Sequence, residues 1–240
     1  MDQQGILLKE LLEERGVSVS PEQLDQLAMY YELLVEWNEK MNLTGITERD
    51  AVYEKHFYDS ASLSFFVDMT KAERMADIGS GAGFPSLPLK IIFPHLKLTI
   101  VDSLNKRIQF LQTVASSLGL LDVACIHGRA EDIARLPEHR DQYDLVTARA
   151  VARLSALNEL CLPFVRKGGT FAAMKGADPS EELLEAKKSL SELKGKHLSS
   201  HHLKLPFEQS DRHIILIGKN DCTPAKYPRK AGIPMKQPII

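Results

Sequence analysis

Three glycines at alternate positions, Gly79, Gly81 and Gly83, follow an acidic residue, Asp77, in the run Met75-Ala-Asp-Ile-Gly-Ser-Gly-Ala-Gly-Phe84. Apolar residues precede them, and a second apolar run, 87–93, follows. That order reads as strand, turn and helix, which is how an α/β sheet builds a nucleotide site. Glycine permits positive φ and lets a ligand approach the backbone. The spacing separates ligand classes. The dinucleotide pattern G-x-G-x-x-G, begun at Gly79, needs glycine where Phe84 stands; begun at Gly81, it needs glycine where Ser86 stands. Asp102 closes the next apolar stretch, about 20 residues on, where a carboxylate can accept hydrogen bonds from both hydroxyls of a ribose. It could equally cap a helix, a task that Ser103 or Asn105 could also take. A third polar cluster, Gly128-Arg129-Ala130-Glu131-Asp132, falls where a third βα loop meets an adenine edge. The same residues suit a capped helix start before Ile133.

The run Asp-x-Gly-x-Gly-x-Gly from Asp77 to Gly83 resembles the first motif of S-adenosylmethionine (SAM) methyltransferases. SAM has no pyrophosphate, so a helix N-terminus need not stay open for two phosphates. The glycine backbone can lie against its amino-acid and ribose parts. The end of the fourth strand, Thr147-Ala-Arg-Ala150, faces the acceptor. Enzymes that methylate exocyclic amines carry Asp/Asn-Pro-Pro-aromatic there, and cytosine-C5 enzymes a nucleophilic cysteine. This chain has neither, and Cys161 sits further on in an apolar helix and reads as core. No general base or nucleophile stands out. A guanine N7 lone pair needs none: it is already nucleophilic and carries no proton, so transfer to it requires positioning, desolvation and a matched field. Arg149 suits that task through contacts to guanine acceptors or phosphate; a surface ion pair is the plainer reading. Arg129, Lys175, Arg212 and Lys230 are the candidate RNA contacts, with Lys175 at the sheet edge that carries Arg149.

These groups need a frame. The spacing predicts a short amphipathic helix over 3–15 ended by Gly16, and a stronger one from Ser20-Pro21-Glu22-Gln23, where Ser20 can N-cap and Gln23 can close a capping box. Trp37, near its far end, reads as a core anchor. A third helix is expected over 48–66; it carries His56, read as a hydrogen-bonded structural histidine. From about residue 70 strands and helices alternate, the signature of a parallel sheet. Strands are expected at 74–78, 97–101, 123–127, 143–147 and 170–175, the last entered by a turn at Lys167-Gly168-Gly169. Helices are expected at 106–118, from about 150 to 165, and at 180–193. Two late strands, 197–205 and 213–217, pair as an antiparallel hairpin. The proline-punctuated end should be extended and irregular.

The chain has 240 residues, enough for one large domain or two small ones. The net charge of −2 hides an asymmetry. Residues 1–40 carry nine acids and three bases, hence −6; residues 219–240 carry five bases and one acid, hence +4. A basic end can hold phosphate or be a solvated tail. No apolar run spans a bilayer, and the opening Met1-Asp2-Gln3-Gln4 lacks a basic, apolar signal, so a cytoplasmic protein without membrane contact is expected. Cys125, Cys161 and Cys222 form no C-x-x-C pair, and no metal is expected.

Taken together, these segments resemble the glucose-inhibited division protein B family, the bacterial guanine-N7 methyltransferases of small-subunit (16S) ribosomal RNA. The resembling stretches are Trp37-Asn-Glu-Lys-Met-Asn-Leu-Thr44, His56-Phe-Tyr-Asp-Ser60, Asp77 to Pro85, Gly128-Arg-Ala-Glu131, Thr147 to Ala150, Met174-Lys-Gly176 and Tyr227-Pro-Arg-Lys-Ala-Gly-Ile-Pro234. The resemblance implies a class I SAM-dependent methyltransferase fold: α/β, Rossmann-like, with a mostly parallel seven-stranded sheet, a late antiparallel hairpin and an N-terminal helical cap (1–70) before the methyltransferase domain (71–240). It implies S-adenosyl-L-methionine contacts at Gly79, Phe84, Ala130, Glu131 and Arg149, beside the Asp77, Gly81, Gly83 and Asp102 read from the motif. It implies one methylated guanine, with 16S ribosomal RNA or the small subunit as partner. The competing readings are an NAD-dependent oxidoreductase, disfavoured by the failed dinucleotide spacing, and a SAM- or RNA-binding module without turnover.

Overall fold

The capping box forms as its spacing predicts and starts the longest helix. Gln23 N–H donates to Ser20 Oγ (3.3 Å), and Ser20 N–H donates to Gln23 Oε1 (2.8 Å). The structure is a computed structural model describing residues 2–149 and 152–240; Ala150, the last residue of the motif after the fourth strand, lies outside them. Helix α1 (Gln3–Glu13) is capped by Asp2, and α2 (Pro21–Met41) ends on Asn42 in the left-handed region. Trp37 packs 5.7 Å from the Phe110 ring, as a core anchor should.

The third helix differs from the expected single run over 48–66. It is α3 (Arg49–Val52), a π-helical turn (Tyr53–Tyr58), α4 (Asp59–Ala61) and a 3-10 turn (Ser62–Phe65). A distant side chain supports the widened turn: Lys55 C=O accepts from Arg149 Nη1 (3.0 Å). Carbonyls drawn out of a helical ladder in this way mark π-bulges, which gather at functional sites.

The sheet follows: β1 (Arg74–Ile78), α5 (Ser86–Ile92), β2 (Lys97–Asp102), α6 (Asn105–Ser117), β3 (Val123–His127), α7 (Ala130–Ile133), β4 (Tyr143–Arg149), α8 (Leu154–Cys161), β5 (Val165–Lys175), α9 (Ser180–Glu185), α10 (Lys187–Glu192), β6 (Gly195–Lys204) and β7 (Asp211–Lys219). The strand order is β3-β2-β1-β4-β5-β7-β6, with β7 antiparallel to both neighbours. The order reverses between β1 and β4, and a ligand crevice opens beyond their carboxyl ends. Those ends carry the glycine turn and Arg149.

Four further expectations need correction. The pair Gly168-Gly169 does not turn the chain into β5. It is a bulge inside that strand, since Tyr143 pairs with Val165 while Leu145 already pairs with Thr170. The helix expected to reach 165 stops at Cys161, and the one expected over 180–193 is broken at Ala186. The basic end is not an irregular tail. It carries α11 (Ile233–Lys236) and packs Tyr227 and Ile239 into the core. Arg140 donates to the carbonyls of Thr223 and Tyr227 (both 2.9 Å), and Arg229 clasps Glu159, which is wholly buried in α8.

Two apolar clusters cover the two sheet faces. One joins Leu24, Leu27, Tyr30 and Leu34 of α2 to Leu98, Ile100 and Leu111; the other joins Leu157 of α8 to Val146, Phe171 and Ile215. The N-terminal helices therefore share a core with the first face. No helix among the described residues is long and apolar enough to cross a membrane.

Candidate active site

Each glycine of the turn has a positive φ: Gly79 at 74°, Gly81 at 62° and Gly83 at 97°. Their surroundings differ. Gly79 N–H continues the sheet, donating to Val101 C=O (2.8 Å). Gly81 faces a cavity of about 510 Å³, and a Cβ there would meet no heavy atom within 4 Å. Gly83 faces the other way, where a Cβ would lie 2.5 Å from the Tyr30 hydroxyl. Tyr30 reaches in from α2 and donates that hydroxyl to Ala82 C=O, so the N-terminal helices brace the turn.

Asp102 stands at the rim of the cavity, almost fully buried. Its Oδ2 accepts from Gly81 N–H (3.2 Å) and its Oδ1 from Leu104 N–H (2.9 Å). It thus fixes the turn to the start of α6 and still lines the cavity. Asp77 lies beneath the turn, outside the cavity wall. Neither of its carboxylate oxygens has a hydrogen-bond partner. Burial pushes its pKa up to about 7, opposed by Ser86 and the charge of Arg149. Ala130 and Glu131 line the far wall. Glu131 Oε1 accepts from Gly232 N–H (2.7 Å), which ties the C-terminal segment to the third loop and brings Met235 to the cavity mouth.

Phe84, His56 and Arg149 stack at the other end. The His56 and Phe84 ring centroids are 4.3 Å apart with planes at 19°, and Arg149 Cζ lies 5.1 Å from the Phe84 centroid. Arg149 Nη1 donates to Asp59 Oδ2 (2.8 Å), and its Nη2 lies 3.2 Å from His56 Nδ1. Burial, reinforced by the Arg149 charge, pulls the His56 pKa down to about 3, so the imidazole is neutral at pH 7. Thr44 Oγ1 sits 3.0 Å from His56 Nε2. The π-helical turn supplies Lys55 C=O and His56 to this stack and ends where Asp59 begins, and Arg149, which donates to that carbonyl, is 94 residues away in the chain.

A second cavity, about 350 Å³, opens behind the stack; His56 and Arg149 are the two residues lining both. Lys175 and Arg212 line it, already engaged. Lys175 Nζ donates to Ala152 C=O (2.5 Å) and Glu182 Oε2 (2.8 Å); Arg212 Nε is 3.2 Å from Asp59 Oδ1. Arg129, half exposed, is 3.5 Å from Glu131. The structure does not bring Lys230 to either cavity; it lies in the docked C-terminal segment. The residue readings above left out Thr44, Asp59 and Met235 as site residues. All three lie in or beside the stretches that carried the family resemblance, which was the available signal.

The sequence model described as "GidB: rRNA small subunit methyltransferase G" matches residues 23–215. A protein of Halalkalibacterium halodurans named ribosomal RNA small subunit methyltransferase G is 57% identical over 96% of this chain and 97% of its own length. One of the same name from Bacillus subtilis is 55% identical over 95% of each. Among solved structures, an O-methyltransferase of Bacillus cereus in complex with SAH has a TM-score of 0.55 at 13% identity, covering 80% of this chain and 91% of its own. The [4+2]-cyclase SpnF has a TM-score of 0.56 at 12% identity, covering 85% and 98%. The cyclase shows that the fold alone does not choose a reaction. The near-full-length identities do more, and the chain belongs to the rRNA small subunit methyltransferase G (GidB) family.

Proposed function

We propose that the chain transfers a methyl group from S-adenosylmethionine to N7 of one guanine in 16S ribosomal RNA, with the first cavity taking the cofactor and the second the acceptor. The observation that supports this best is the junction. The two residues shared by both cavity walls are His56 and Arg149, and neither takes a proton at neutral pH: His56 is held down at about 3, and a guanidinium is always charged. Such a junction suits an acceptor with a free lone pair and no proton to lose.

The first cavity fits the cofactor by its own chemistry. Two carboxylates line it at different levels, Asp102 at the end of β2 and Glu131 in the third loop. A ribose diol and an adenine edge call for acceptors at such levels. The open space over Gly81 leaves the backbone accessible. When bound, SAM would supply an electrophilic methyl on a sulfonium centre. The chain's share is to exclude water, hold the ribose at Asp102, and keep the Phe84, His56 and Arg149 stack rigid between cofactor and base. Arg149 is held for this by Asp59 and Lys55 C=O.

The test is tritiated-methyl transfer from SAM to 16S RNA and to small subunits, followed under single-turnover conditions between pH 6 and 8. Label should enter 16S RNA at a rate without a His56 titration in that range; Asp77, outside the cavity wall, titrates near 7 and should show in stability rather than in the transfer step. SAM binding without transfer to either substrate would leave only a binding module. A His56→Gln variant that binds both substrates and loses transfer about a thousandfold would make His56 a catalyst.

A further inference from the structure

Methylation at N7 poses a selectivity problem that the N7 atom cannot solve. Adenine and guanine both present an N7 lone pair. They differ on the Watson–Crick edge, where guanine donates from N1–H and N2–H while adenine offers a bare N1 acceptor. A carboxylate accepts from the first and repels the second, and a site built to hydrogen-bond a donor discriminates sharply against an analogue without it. Asp59 is the sole carboxylate among the described residues lining the second cavity.

Its surroundings show a group held but unfilled. Asp59 is 3% exposed at the start of α4. Arg149 donates to Oδ2 (2.8 Å). Arg212 Nε stands 3.2 Å from Oδ1, but without the geometry of a hydrogen bond, so Oδ1 has charge beside it and no donor on it. A carboxylate can accept about four hydrogen bonds, and a buried one short of donors is an acceptor in waiting. The rest of the wall suits a nucleotide. Ile46, Met174 and Ile214 offer apolar surface for a base plane, and Lys55, Lys175 and Arg212, each held by an acid of its own, give the wall a positive lining.

We infer that Asp59 is a specificity-determining residue that accepts the N1–H and N2–H of the acceptor guanine in the second cavity. The assignment rests on the guanine-N7 reading above. It gives the two arginines a second task beyond their own contacts: they fix the carboxylate in orientation.

The test replaces one atom group on the RNA and one on the protein. Once the methylated guanosine is mapped, 16S RNA is made with inosine at that position, which lacks the exocyclic amine and keeps N7. The parent should lose roughly 10–150-fold in kcat/KM on the inosine RNA, the loss expected for one hydrogen bond to a charged acceptor. Asp59→Asn should lose a comparable factor on the guanosine RNA, with the further inosine penalty shrinking to below about threefold, because Arg149 holds the amide's one oxygen and the NH2 group, a donor, faces the base. A purely structural Asp59 predicts the same inosine penalty in both proteins, and that result overturns the assignment. So does a parent that methylates inosine within about threefold of guanosine, a result that needs no variant. Circular dichroism and SAM titration check the fold of Asp59→Asn. If it does not fold, Asp59→Glu, which keeps the charge between the arginines, takes its place: a full inosine penalty alongside a moved carboxylate would overturn the assignment, and a reduced one would support it. A parent that transfers nothing to guanosine RNA, free or assembled into small subunits, would remove the N7 reading itself, and is distinct from every outcome above.

Discussion

Gly81 and Gly83 stand two residues apart with positive φ, yet the structure gives them opposite jobs. Alanine at either must adopt a left-handed backbone, costing about 1–2 kcal/mol. At Gly81 nothing is added, since its Cβ points into open space. At Gly83 a Cβ would stand 2.5 Å from Tyr30 Oη, 2.7 Å from Leu87 Cδ1 and 2.9 Å from Leu111 Cδ2. All three neighbours are fully buried, so relief means moving core, at about 1–3 kcal/mol. Gly83→Ala should therefore cost about 2–5 kcal/mol, and Gly81→Ala about 1–2 kcal/mol. Tyr30→Phe removes the nearest atom but strips Ala82 C=O of its donor, about 1–3 kcal/mol alone. Combined with Gly83→Ala it should cost less than the sum, by about 1 kcal/mol. Urea unfolding followed by circular dichroism gives the stabilities, and calorimetric titration gives SAM affinity. Gly81→Val should lose at least about tenfold in SAM affinity, and, being β-branched at a positive φ, should also be less stable than Gly81→Ala. Equal stabilities for the two alanine variants, or strict additivity of Tyr30→Phe with Gly83→Ala, would refute the assignment of Gly83 to the core and Gly81 to the cavity.

Asp102→Ala should weaken SAM binding by roughly 10–150-fold, as for a lost charge-assisted acceptor, and Asp102→Asn by less; unchanged affinity in both, with the fold intact, removes Asp102 from the cofactor site. Stability against pH should show two opposed contributions. Asp77 is raised from 3.8 to about 7, so the folded chain holds a proton that the unfolded one has released, and its contribution falls as pH rises from about 4 to 7. His56 is lowered from 6.5 to about 3, so its contribution is present above about 6.5 and is lost as pH falls towards 3. Asp77→Asn should leave a stability that climbs with pH between 3 and 6.5, and His56→Gln one that declines between 4 and 7; urea midpoints across pH that keep the parent's shape in both variants would contradict the two shifts. Arg229→Met leaves the buried Glu159 carboxylate without its partner and should destabilise by about 3–5 kcal/mol, with faster proteolysis after residue 220. A variant as stable and protease-resistant as the parent would show that the C-terminal segment is not held there.

The parts legible in the sequence were those fixed by neighbours in the chain. The capping box at Ser20, the glycine turn after β1, the acid closing β2 and the late hairpin all rest on local pattern, and each has the secondary structure its spacing predicts. What escaped was set by distant partners. The π-helical turn at Tyr53–Tyr58 carries no local breaker, and the group that draws out the Lys55 carbonyl is Arg149. The docking of the C-terminal segment depends on Glu159, the one charged residue in a buried helix, Leu154-Ser-Ala-Leu-Asn-Glu-Leu-Cys161. An acid at such a place must meet a cation, and the cation is in the segment that its prolines and charge marked as a free tail. Lys175 and Arg212 were legible as basic residues at the right edge, but not as groups already held by Glu182 and Asp59.

On the proposed function, the Phe84, His56 and Arg149 junction directs the methyl to guanine N7. An N7-methylated guanosine carries a fixed positive charge on its imidazole ring, and borohydride reduction followed by aniline cuts the RNA chain there and at no other methylated guanine position. The purified protein should therefore be incubated with 16S RNA and SAM, and the product reduced, treated with aniline and read by primer extension. The account predicts one new scission, at one guanosine, dependent on both protein and SAM. Methyl label entering 16S RNA that resists aniline scission would place the methyl on another atom and contradict the reading of the Phe84, His56 and Arg149 junction.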